Sequence, residues 1–237
     1  MTNIPALSVI LVTPSSYATL THTMRFLRAQ TLAEQIEVVI VASSQVALAL
    51  PPGEQGALGG IRVVEAGTPL RLGAAKAAGV AAARAAVVVF AEDHCSPRRN
   101  GAALIAAHAE PWAAVGPAIG NANPVSAISW ANLLLAYGHW LAPATAGEIA
   151  DVPGHNSSYK RTLLLAYGEQ LSELLEREGT LHADLRVRGH RLYLAAEARA
   201  DHVNPTLPSA WVPLRFNAGR LYAAVRARGW SPLRRAL

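Results

Sequence analysis

The sequence predicts an α/β chain built on a mostly parallel sheet with helices on both faces. Three observations lead there. Short, wholly apolar runs rich in β-branched residues recur through the first half, as buried parallel strands require. Segments of helical spacing or Ala-rich composition separate them. Each run stops in a polar or turn-forming cluster, and ligands of open α/β sheets bind at those carboxyl ends.

The elements follow in order. Leu7 to Thr13 reads as a buried strand stopped at Pro14-Ser15-Ser16. Residues 17–30 place Leu20, Met24 and Leu27 at helical spacing. Glu37 to Ala42 is a second strand, closed by Ser43-Ser44, and a Pro/Gly-rich loop covers roughly 50–60. Ile61 to Glu65 is a third strand. Residues 72–86, with Gly73 and Gly79 inside, read as a closely packed helix. Ala86 to Ala91 is a fourth strand running into Glu92-Asp93-His94. The second half is less regular. A strand is expected over Trp112–Ile119 with a Gly116-Pro117 break, and a helix over 125–141. Asp151–Tyr159 reads as a polar loop, and residues 161–188 as helix interrupted near Gly168 and Gly179. Two strands, Arg191–Leu194 and Glu197–His202, precede a basic helix over 209–228. Without a Ser/Gly linker, the expectation is one domain with two functional halves, about 1–115 and about 116–237.

At 51% hydrophobic and 16% charged residues over 237 positions, the chain is too apolar for disorder and long enough to bury a core. The single cysteine, Cys95, excludes an internal disulfide framework and fits a reducing compartment. No secretory signal and no run of 18 apolar residues is visible, so a cytoplasmic protein is expected. The net charge of +5 is uneven: after Asp201 there are six arginines and no acid, leaving −1 for the rest. Such a tail suits an anionic lipid surface, giving membrane association on the inner face. The plain alternative is a solvated helix face. Nucleic acid is not expected as a partner, because basic and aromatic residues are not interleaved and no recognition module is present.

The turn after the first strand, Thr13-Pro14-Ser15, has no glycine. The Gly-rich approach of backbone to a pyrophosphate is therefore missing, and no Walker loop occurs, which excludes NAD-type and P-loop sites. Glu92 and Asp93 lie where a buried strand emerges. Adjacent strand residues point to opposite faces, so one carboxylate should enter the cleft. Oxygen ligands there suit Mg²⁺ or Mn²⁺, and His94 or the distant His202 can add nitrogen and favour Mn²⁺. The alternative is that Asp93 caps a following helix.

The order of these motifs resembles family 2 glycosyltransferases of the GT-A fold. In that family the first strand ends in Thr or Pro, an Arg/Lys-Asn-x-Gly helix precedes the fourth strand, and that strand runs into Asp-x-Asp. Gly154-His-Asn-Ser-Ser-Tyr-Lys-Arg161 is similar to the family's Gly-x-Asn-x-x-x-(Arg/Lys)-Arg stretch. Glu178-x-x-Leu181 and Gly189-His-Arg-Leu192 are similar to its Glu-Asp-x-x-Leu helix and Gly-Tyr-Arg-Ile strand, and His202 matches a histidine that closes the strand pair. The likeness runs from residue 7 to about 220. It departs at Ser43-Ser44, where the family has an acidic pair reading the nucleobase, and at Ala91-Glu92-Asp93, which keeps only the second carboxylate of Asp-x-Asp.

The resemblance implies a nucleotide-sugar half followed by an acceptor half, and inverting transfer of a sugar from a nucleoside diphosphate to a hydroxyl. The acceptor would be a glycan or lipid-linked molecule. It implies Thr13, Pro14, Ser15, Ser43, Lys76, Glu92, His155 and Asn156 on the substrate side, Asp93 and His202 at a Mg²⁺ or Mn²⁺ ion, and Glu178 as general base. A base of ordinary carboxylate pKa is ionised at neutral pH. The residues alone leave other readings: a snorkelling Lys76, a turn stabilised by Asn156, a solvated face for Glu178, and core packing for Trp130, Tyr137 and Trp140. A binding module without catalysis is the alternative for the whole chain.

Overall fold

The computed structural model describes residues 4–14, 16–98, 101–227, 230, 231 and 234. Ser15, Arg228 and Arg235 lie outside the described residues, as do the side chains of Leu221, Val225 and Arg226. The first half runs β1 (Leu7–Thr13), α1 (Thr21–Arg28), β2 (Ile36–Ala42), α2 (Gln45–Leu48), β3 (Gly60–Glu65), α3 (Leu72–Ala82), β4 (Val87–Ala91), β5 (Cys95–Pro97) and α4 (Gly101–Ala107). The second runs β6 (Ala114–Asn121), α5 (Ala127–Tyr137), β7 (Gly147–Ile149), β8 (Ser158–Lys160), α6 (Arg161–Leu165), α7 (Leu171–Leu174), α8 (Glu178–Val187), β9 (Leu192–His202) and α9 (Pro208–Arg226).

One sheet of nine strands runs in the order β3-β2-β1-β4-β8-β6-β9-β5, with β7 also on β9. The long ladders β1–β2, β1–β4, β2–β3 and β6–β9 are parallel, and the short strands β5, β7 and β8 pair antiparallel. Alternation along β1 sends Leu7, Val9 and Leu11 to one face, against Leu20, Met24 and Leu27 of the α1 region and Leu104 of α4. Ile10 goes to the other, with Val39, Val41, Ala75 and Val80 and the leucines of α6 to α8. Two large cores therefore sandwich the sheet, and a third, small cluster gathers Ile119, Leu133, Tyr137 and Ala200. Close approach by α3 depends on its glycines, because a Cβ on Gly79 would sit 2.5 Å from Ile10 Cγ2 and one on Gly73 2.0 Å from the Ser172 carbonyl oxygen.

Several boundaries differ from the sequence reading. The expected helix over 17–30 is a short turn at Tyr17–Leu20 followed by α1. The helix over 72–86 stops at Ala82, since Ala83 is already extended. Within 161–188 the helix breaks near Gly168 as expected, but the second break falls before Glu178, and Gly179 lies inside α8. The two C-terminal strands are one, β9, whose pairing with β6 jumps from Pro117↔Ala195 to Ala118↔Arg199. This irregularity falls at the Gly116-Pro117 site, as a bulge does where proline interrupts a ladder. Asp93 caps no helix, because the chain continues into β5. Among the described residues no helix is long and apolar enough to cross a membrane.

Candidate active site

The parallel register aligns the strand ends. Thr13 pairs with Ala42, Ala42 with Glu65, and Leu11 with Ala91. Thr13 is buried with its hydroxyl 3.2 Å from that of Thr19, Pro14 is exposed and Ser43 half-buried. Ser44 caps α2, its Oγ accepting from Ala47 N at 3.0 Å. Where the resemblance leads one to expect an acidic pair after β2, a carboxylate arrives from β3 instead: Glu65 Oε1 accepts from Gln45 N at 2.7 Å. Sequence reading missed it because its position depends on the β2–β3 register.

Beyond β4 the chain turns sharply. The buried Thr23 hydroxyl of α1 lies 2.7 Å from Glu92 O and 2.9 Å from Cys95 O, fixing the turn. That orientation brings the Glu92 carboxylate inward and leaves Asp93 at the rim. The β5–β9 ladder then sets Cys95 opposite His202, which draws together two histidines more than a hundred residues apart. His94 Nε2 and His202 Nε2 are 3.0 Å apart, and they lie 3.6 and 3.7 Å from Glu92 Oε2. His155 Nδ1 lies 3.0 Å from Glu92 Oε1. Asp93 accepts from His94 Nδ1 at 2.7 Å, and so acts on the histidine rather than within the cluster.

Burial opposes the charge on Glu92, yet His155, by charge and hydrogen bond, and then His94 and His202 hold its pKa down at about 2. Burial pushes His202 down to about 4 against the pull of Glu92, leaving a neutral imidazole. His155 moves the other way: burial disfavours its charge, but Glu92 raises its pKa overall.

Glu92, His94 and His202 each offer one donor atom to a common point. A triangle with sides of 3.0, 3.6 and 3.7 Å has a circumradius of about 2.0 Å, close to the roughly 2.0–2.2 Å bonds that a small divalent cation such as zinc makes to imidazole or carboxylate. The donor set fits such an ion, and two nitrogens favour Mn²⁺ over Mg²⁺.

Two recesses meet beside this cluster. One, of about 140 Å³, is lined by Val12, Lys76, Phe90, Glu92, Asp93, His94 and His155. The other, of about 770 Å³, is lined by Tyr137, Trp140, His155, Glu178, Arg215 and Tyr222 among others. His155 belongs to both. Lys76 of α3 and Glu178 at the start of α8 form an ion pair at that boundary, with side chains only 7% and 13% exposed. Gly154 permits the approach of Glu178, since a Cβ there would lie 3.0 Å from its Oε2. Asn156 faces inward. It takes φ 61°, donates its backbone N–H to Phe90 O at 2.6 Å, and its side-chain Oδ1 is buried without a hydrogen-bond partner among the described residues. Of the aromatic residues on α5, Tyr137 is buried while Trp130 is exposed; Trp140 just beyond donates to Asp151 O at 2.8 Å.

This architecture is the GT-A fold of glycosyltransferases. S. aureus TarS residues 1–349 superpose with a TM-score of 0.58 at 16% identity over 83% of this chain and 60% of TarS. The same protein in complex with UDP-GlcNAc gives 0.55 at 16% identity, covering 85% and 59%. GalNAc-T7 with UDP, GalNAc and Mn²⁺ gives 0.63 at 15% identity over 86% of this chain and 44% of that one. The chain thus spans roughly half the length of these structures, and at such identities the likeness defines the fold alone. No family model and no curated protein matches the sequence.

Proposed function

We propose that the chain is a metal-dependent glycosyltransferase that moves a sugar, with inversion, from a nucleoside diphosphate to a hydroxyl. The observation carrying this is the convergence of Glu92, His94 and His202 on one cation-sized point at the strand ends. The fold supports it, and so does the Mn²⁺ and UDP found with GalNAc-T7. A cation held there supplies charge neutralisation for the diphosphate leaving group. Asp93 serves it through His94. Lys76, buried beside the same recess, is placed for the donor phosphates, and their charge competes with Glu178 for its ammonium. Glu178, once released, accepts the proton of the attacking hydroxyl as the bond between the anomeric carbon and the diphosphate oxygen breaks. Glu178 lines the larger recess, and the donor phosphates are proposed for the smaller one beside Lys76. Thr13, Pro14, Ser43 and Glu65 border the nucleoside end.

The acceptor is proposed to be glycan or lipid-linked. Helix α9 flanks the larger recess through Arg215 and Tyr222, while Val212 and Phe216 are 58% and 66% exposed. An acid-free basic helix with bare apolar residues suits an anionic leaflet. The substitution of Ser43-Ser44 for an acidic pair favours a second reading, a module that binds a donor without turning it over.

A thermal-shift panel of UDP-, GDP- and dTDP-sugars with and without Mn²⁺ tests donor binding. Metal-dependent stabilisation by one class is expected, and its absence with every donor overturns the proposal. Consumption of that donor separates enzyme from binding module. In the enzyme, Glu178→Gln lowers turnover by roughly 10²–10⁴-fold with little change in donor affinity.

A further inference from the structure

The cation cluster has a support that lies wholly in the second half of the chain. Just after β9, the side chain of Asn204 is buried beneath His202. Its Nδ2 donates to His202 O at 3.0 Å and to Asn121 Oδ1 at 3.1 Å. A backbone carbonyl only accepts, so the amide is oriented with Oδ1 on the other side. There Oδ1 accepts from Asn132 Nδ2 at 2.7 Å and meets His202 Nδ1 at 3.0 Å. An amide oxygen cannot donate, so His202 Nδ1 carries the proton and Nε2 carries the lone pair. The orientation is anchored twice more. Asn204 N donates to Asn123 Oδ1 at 2.8 Å, and Asn123 Nδ2 returns a bond to Asn204 O at 2.7 Å. Ser129 of α5 ties in by donating to Asn123 O at 2.8 Å.

Asp93 does the same for His94, accepting from its Nδ1. His202 Nε2 therefore turns its lone pair towards His94 Nε2, 3.0 Å away beside Glu92, where a proton or a cation joins the two nitrogens. Two lone pairs facing each other repel unless a cation or a proton lies between them.

We infer that Asn204 is a positioning residue for metal binding, holding His202 in the Nδ1–H tautomer so that Nε2 is a ready ligand. The inference rests on the cation reading proposed above. It assigns the asparagines around the β6–β9 ends and α5 a role that no motif in the sequence announces. Outer hydrogen bonds of this kind typically change metal affinity by roughly 10–100-fold.

The test uses the full chain and Mn²⁺ alone as probe. In ¹⁵N-histidine-labelled, metal-free protein above the titration of its histidines, long-range ¹H–¹⁵N correlation reads the tautomer of His202. The expected result is a proton on Nδ1, the less common form. Electron paramagnetic resonance titration then gives the Mn²⁺ affinity. Asn204→Leu should shift His202 towards Nε2–H and weaken Mn²⁺ by about 10–100-fold. Asn204→Asp keeps an acceptor for Nδ1–H and should retain both tautomer and affinity, which a merely structural role would not restore. Mn²⁺ binding with the wild-type proton on Nε2, or full affinity in a folded Asn204→Leu, overturns the role of Asn204. A wild-type Nδ1–H with no Mn²⁺ binding overturns the cation reading, and the positioning role with it. The wild-type measurement stands even if Asn204→Leu does not fold.

Discussion

Replacing Lys76 by Met separates stability from chemistry at the centre of the cleft. The stem is nearly isosteric, so the change keeps the bulk of the side chain and removes the charge, together with the cation–π contact of Nζ 5.5 Å from the Phe90 ring centroid. Glu178, 13% exposed, then keeps its charge without its main partner. Breaking a buried pair costs about 3–5 kcal/mol. The remaining exposure of Glu178 puts the loss at the lower end, about 3 kcal/mol. For a chain of 237 residues that is a fall in Tm of roughly 6–12 °C. Glu178→Gln on the Lys76→Met background removes the stranded charge and should recover at least about half of the loss. Urea and thermal unfolding of the four species in a double-mutant cycle measure the coupling. A Lys76→Met loss under about 1 kcal/mol, the scale of an exposed pair, or a coupling near zero, refutes the buried-pair reasoning. It would also remove the basis for donor-driven release of Glu178.

Four further outcomes follow from other parts of the chain. Glu37 is buried in β2, where burial opposes its charge but the Ser8 hydroxyl at 2.6 Å and the backbone N–H and guanidinium of Arg84 lower its pKa. A depressed carboxyl stabilises above its unfolded pKa and loses that contribution as pH falls through the folded value, so Glu37→Gln should destabilise at pH 7 by about 1–3 kcal/mol and flatten the acid limb in unfolding measured from pH 7 to 3. Gly73→Ala should destabilise by about 1–3 kcal/mol despite alanine's better helix propensity, because its Cβ would meet the Ser172 carbonyl oxygen at 2.0 Å. Gly219→Ala, with nothing within 4 Å, should gain up to about 1 kcal/mol in the same assay. Liposome sedimentation should show binding to anionic but not neutral vesicles, lost at high salt and weakened in Val212→Ser/Phe216→Ser; equal behaviour with both lipids sinks the membrane reading.

Much of the first half of the fold is legible in the sequence. β1, β2 and β4 are mostly apolar runs buried on both faces, β3 is a half-buried edge strand with Arg62 and Glu65 exposed, and Gly73 and Gly79 mark a helix pressed against its neighbours. The polar ends of those strands indicate where a site belongs, because parallel connectivity puts them on one edge. The short strands are another matter. β5, β7 and β8 have three residues each, too few to display a period, and they exist only because long strands offer them open edges. The choice between Glu92 and Asp93 has the same character. Alternation says that one carboxylate enters the cleft, but which one depends on a turn clamped by Thr23 from a different helix. The pairing of Cys95 with His202 brings His94 and His202 within 3.0 Å, and Lys76 meets Glu178 across 102 positions of chain. Residue type and local spacing determine where strands and helices form and where polarity emerges. The Glu92, His94 and His202 cluster arises from strand register and helix packing, which bring distant positions together and are encoded in no local stretch of chain.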